Sequence, residues 1–144
     1  MKRLKYEADV KNWLARADQD LEWTRVTLRS KFYMQACFVA QQVAEKALKA
    51  FLLSYDAVPP KTHSLPRLLQ DTLNFEDGFK KFKNEVEILD KYYAPTRYPD
   101  LGVYEDFSLR KAEEALKVAS HILNFVKSAI NFSSLKAGVL LKFT

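Results

Sequence analysis

Cysteine is almost missing from this chain: Cys37 stands alone among 144 residues. A single thiol excludes an intramolecular disulfide and the zinc sites built on paired cysteines. Its neighbours Ala36, Phe38, Val39 and Ala40 are apolar, so Cys37 reads as a small buried hydrophobe. A lone thiol also suits a reducing compartment, and cytoplasm is the expected location. Histidine is nearly as scarce, with only His63 and His121. Neither follows a glutamate by three residues, so the ligand spacing of di-iron bundles is missing. No metal and no cofactor are expected. The three glycines, Gly78, Gly102 and Gly138, are isolated, which removes any glycine-rich phosphate cradle. No run approaches the ~20 apolar residues of a membrane span. The start, Met1-Lys2-Arg3-Leu4-Lys5, is charged and lacks the apolar core of a secretory signal. No membrane association is expected.

With 3 Gly and 5 Pro against a hydrophobic fraction of 48%, the composition favours long helices joined by short turns. A chain of this length supports one domain and buries a core without staples. The net charge of +5 is mild. Basic residues lead near the start and at Lys80, Lys81 and Lys83, but acidic ones are interleaved, so no basic stripe of a dedicated nucleic-acid binder stands out.

Hydrophobic periodicity supplies the elements. Val10, Trp13, Leu14, Ala17, Leu21, Thr24 and Leu28 recur at steps of three and four, predicting a helix from about Glu7 to Arg29. Ser30 reads as the cap of a second helix, Phe32 to about Tyr55. Its face carries Ala36, Cys37, Ala40, Ala44 and Ala47, small side chains that let partners approach, which predicts a central position. Val58-Pro59-Pro60 opens a loop, and Ser64 caps a short helix from Leu65 to about Leu73 with Pro66 in its first turn. Asn74 is expected to cap a fourth helix ending near Tyr93. Asp106 or Ser108 opens the last, with Ala112, Ala115, Leu116, Ala119, Ile122, Leu123, Val126 and Ile130 as its stripe. The expected fold is all-α: an up-and-down antiparallel helical bundle of four to five helices. It occupies residues 1–132, with 133–144 as a C-terminal tail. His121, beside that last stripe, reads as structural.

Two constellations carry chemistry. On the second helix Gln41 and Glu45, four apart, share a face. Surface pairing is expected for Glu45 with Lys49 and Gln42 with Lys46, and a buried polar role for Gln41 or Glu45. The other constellation is Tyr92-Tyr93-Ala94-Pro95-Thr96-Arg97-Tyr98-Pro99-Asp100. Two prolines restrict this loop. Arg97 offers a planar fork for phosphate or carboxylate, and Tyr98 a ring for stacking. Alternatively, Arg97 and Asp100 pair and merely lock the turn.

Four stretches together resemble a known family. They are a first helix with Trp13, Ala17, Asp20 and Leu21; Ala40-Gln41-Gln42-Val43-Ala44-Glu45-Lys46-Ala47-Leu48-Lys49-Ala50; Thr62-His63-Ser64-Leu65; and Arg97-Tyr98-Pro99-Asp100. This pattern is similar to the HEPN domain over residues 7–130. The resemblance implies a helical bundle that forms a homodimer, with a nucleotide or RNA connection. Small prokaryotic members are often encoded beside a minimal nucleotidyltransferase and behave as toxin–antitoxin partners. The expected function is a binding module for nucleotide or RNA, or for such a nucleotidyltransferase. The expected ligand-binding residues are Arg97, Tyr98, Asp100, His63, Gln41 and Glu45. Many family members are metal-independent ribonucleases in which a histidine follows an arginine after four to six intervening residues. Here Gly102, Val103 and Tyr104 fill that window after Arg97, so the signature is incomplete and no catalytic residue is assigned. A divergent ribonuclease, or a purely structural interaction protein, is the alternative.

Overall fold

The structure is a computed structural model and describes residues 5–93 and 107–130. The Ala94–Asp100 loop with Arg97, Tyr98 and Asp100 lies outside the described residues, as does the 133–144 tail. The described residues form five α-helices: α1 (Glu7–Arg29), α2 (Tyr33–Ser54), α3 (Leu65–Thr72), α4 (Lys83–Asp90) and α5 (Leu109–Ala129). A 3₁₀ helix, Asp77–Phe82, runs directly into α4. No strand occurs among the described residues, and none of their helices is long and apolar enough to cross a membrane.

The periodic stripes become the core. Val10, Leu14, Ala17, Leu21 and Thr24 of α1 are buried, and so are Ala112, Ala115, Ala119, Ile122, Leu123 and Val126 of α5. The helix α2 lies between them and also touches α3 and α4. Fifteen of its 22 residues are buried, which is why it needs alanines on several sides. Cross-links show the direction of the first two helices. Asp20 meets Lys46, and Trp13 meets Lys49, so residues earlier in α1 face residues later in α2 and the pair is antiparallel.

Four expected caps differ in outcome. Ser64 accepts from the Arg67 amide and Ser108 from the Lys111 amide, as expected for helix starts. Ser30 does not cap α2. It ends α1 instead, in a tight stop where the Phe32 amide reaches back to the Thr27 carbonyl and Lys31 sits at φ 66°. Asn74 does not cap the fourth helical segment either: Glu76 accepts from the Gly78 amide at 3.1 Å.

Gly78 is where the 3₁₀ helix closes on α5. A methyl group added there would stand 2.7 Å from the Phe125 ring, which already packs against Phe79 and Phe82. Gly78→Ala is therefore expected to destabilise the domain by about 1–3 kcal/mol, the usual cost of overpacking. Urea unfolding checks this, and an unchanged midpoint would show that the ring moves aside freely.

Candidate functional site

The site grows from one face of α2. Gln41 is completely buried and Glu45 nearly so. A buried amide and a buried carboxylate need partners, and α2 itself and the 55–64 connection supply them. The Gln41 side-chain amide donates to the His63 carbonyl at 3.0 Å, while its own oxygen accepts from Gln42 at 2.6 Å. Glu45 divides its two oxygens: Oε1 lies 3.0 Å from His63 Nδ1, and Oε2 accepts from Lys49 Nζ at 3.1 Å. Lys49 is itself only 12% exposed, with its ammonium 5.9 Å from the Trp13 ring centre.

This bonding has a chemical consequence for His63. With the Glu45 carboxylate accepting at Nδ1, that nitrogen carries the proton, and in the neutral ring Nε2 is the acceptor. The side chain is 54% exposed, so the imidazole is tied to the interior through Nδ1 while about half of it remains accessible to solvent. One face of the ring is taken by Tyr93, stacked at 4.4 Å with an interplanar angle of 17°. Tyr93 arrives there because α3 and α4 are tied together: the Leu65 amide donates to Asp90 Oδ1 at 2.8 Å. That bond joins the residue two after His63 to the last residue of α4, three before Tyr93.

Three of the six expected site residues, Gln41, Glu45 and His63, thus form one connected network. Arg97, Tyr98 and Asp100 fall outside the described residues. The pairing of Glu45 with Lys49 occurs, but in the interior rather than at the surface. Gln42 does not pair with Lys46, because Lys46 crosses to Asp20 on α1. A carboxylate is a stronger partner for an ammonium than an amide is, so the interhelical contact wins over the one along the helix. Tyr93, Trp13 and Asp20 complete the surroundings without having been assigned a place in the site. Among the described residues, no group of three His, Cys, Asp or Glu side chains is placed to hold a metal ion. His121 is exposed on α5, away from the core its neighbours build.

Comparison with known proteins converges on one family. The model of the HEPN domain matches residues 10–129. The candidate toxin MJ1304 of Methanocaldococcus jannaschii is 28% identical over 130 residues, covering 81% of this chain and 85% of the relative. The crystal structure of TT1696 from Thermus thermophilus superposes with a TM-score of 0.76 at 37% identity, over 83% of this chain and 96% of that one. ST0689, described as an archaeal HEPN homologue, superposes at 0.69 with 34% identity, over 90% and 99%.

Proposed function

Since this chain belongs to the HEPN domain family, we propose that it is a homodimeric binding module of the toxin–antitoxin type. Its ligand is a nucleotide or RNA, and its protein partner a minimal nucleotidyltransferase. One observation carries the reading: a buried network of Gln41 and Glu45 holds an exposed imidazole against Tyr93. From Tyr93 the chain continues to Arg97-Tyr98-Pro99-Asp100. The imidazole offers a hydrogen bond, Arg97 a fork for phosphate and Tyr98 a stacking ring. The relative described as a candidate toxin supports the toxin–antitoxin part.

The test is fluorescence anisotropy with a labelled single-stranded RNA and, separately, a labelled ATP. Binding is expected to fall about 10-fold or more in Arg97→Ala, since hydrogen bonds to charged groups contribute ~1.5–3 kcal/mol. Absence of binding to both probes by the native chain would remove the nucleotide part of the proposal. Co-expression with a nucleotidyltransferase encoded beside this gene tests the partner separately.

For the homodimer, Trp13 and Trp23 point about 80° apart on one helix. Trp13 packs on the core, whereas Trp23 is 55% exposed. Val26, Phe32 and Met34, around the same turn between α1 and α2, are exposed as well. Sedimentation is expected to give about twice the 16.7 kDa chain mass, and Trp23→Lys to shift it toward one chain. A native species of single-chain mass at micromolar concentration would sink the dimer.

A further inference from the structure

Between α3 and the 3₁₀–α4 segment lies a half-open pocket of about 610 Å³. Its walls are aliphatic: Pro66, Leu69 and Leu73 from one side and Val86 from the other. Leu69 and Val86 are buried core residues, so the pocket is anchored on the core. The rim carries Lys80 and Lys83, with Gln70 and Glu87. Neither lysine has an ion-pair partner among the described residues. This differs from Lys46, Lys49 and Lys127, each of which meets a carboxylate.

We infer that this pocket binds a small anion with an aliphatic body, a medium-chain carboxylate. Among the described residues no aromatic side chain lines the pocket, so they offer a nucleobase no ring to stack on. An aliphatic chain can be buried at roughly 0.8 kcal/mol per methylene. The carboxylate head takes Lys80 and Lys83, which lie three residues apart. Glu87, one turn beyond Lys83 on the same face of α4, is the negative group that the head has to keep clear of. The volume falls within the ~300–1,000 Å³ of ordinary small-molecule pockets.

Titration calorimetry of the full chain with decanoate is the test, with decanol as the uncharged comparison. Decanoate is expected to bind with 1:1 stoichiometry per chain and more tightly than decanol. Lys80→Gln combined with Lys83→Gln is expected to weaken decanoate at least 10-fold and leave decanol little changed. Leu73→Trp, which fills the pocket, is expected to weaken both. Circular dichroism of each variant confirms that it has folded, and a misfolded Leu73→Trp is replaced by Gln70→Trp at the rim. Three results would overturn the inference. They are no decanoate binding at millimolar concentration, binding indifferent to the lysine pair, and binding that requires removal of residues 131–144. The last would assign the pocket to the chain's own tail.

Discussion

Replacing Glu45 by alanine is expected to cost about 3–5 kcal/mol of stability, the range for removing one partner of a buried ion pair. The carboxylate is 6% exposed and Lys49 12%, so solvent cannot take over when the partner is lost. The variant leaves an ammonium facing Trp13 with no counter-charge. It also frees His63 Nδ1. The charge argument and the shape argument can be separated. Glu45→Met with Lys49→Met removes both charges and keeps most of the volume, and it is expected to recover most of the loss. Urea unfolding at one fixed protein concentration reads both effects, because a dimer's stability depends on concentration. If Glu45→Ala alone stays within about 1 kcal/mol of the native chain, far below the range for a broken buried pair, the network is not the structural anchor described above.

Incubated with single-stranded RNA and EDTA, the chain is expected to cleave feebly or not at all. Cleavage without metal needs one group to take the 2′-hydroxyl proton and another to protonate the leaving oxygen. Histidine suits both tasks near neutral pH. Gly102, Val103 and Tyr104 provide no histidine after Arg97, and Tyr104 is a poor base, since tyrosine titrates near pH 10 in model peptides. Missing acid–base help lowers rates by ~10²–10⁴. Of the two histidines, His63 is the candidate for such work, with its Nδ1 held by Glu45. The controls are therefore Arg97→Ala and His63→Ala. Robust cleavage lost in both variants would replace the binding reading by a ribonuclease that takes its histidine from the 55–64 connection.

The helices whose burial follows a single stripe were readable in advance. In α1 and α5 the period locates most buried positions, but Thr27 and Val118 are buried off the predicted stripes while Leu28 and Leu116 on them are only half-buried. Cap positions were less legible where several polar residues compete. Asn74 and Glu76 both precede the 3₁₀ helix, and only the folded backbone decides that Glu76 reaches the open amide. At Ser30 the stop depends on Lys31 adopting a positive φ, a conformation the residue type does not announce. Within the site, the four-residue spacing put Gln41 and Glu45 together. The His63–Tyr93 stack was not foreseeable, because it depends on α4 being fastened to the start of α3 through Asp90. Local spacing rules cannot see that kind of contact. They also favoured Gln42 as the partner of Lys46, whereas the better acceptor came from another helix.

The burial of α2 on several sides has a consequence for how the chain is made. Its hairpin with α1 is complete once Ser54 has been synthesised, but α5 is complete only about 75 residues later. At ~5–20 residues per second that is a wait of roughly 4–15 s. Throughout it, the stretch of α2 that later docks α5 faces water or whatever else is near the ribosome. The alanines on this helix limit the exposed area that leucines would have presented at the same positions. The small residues that permit close packing in the finished bundle thus also make the half-built protein less prone to stick to its neighbours.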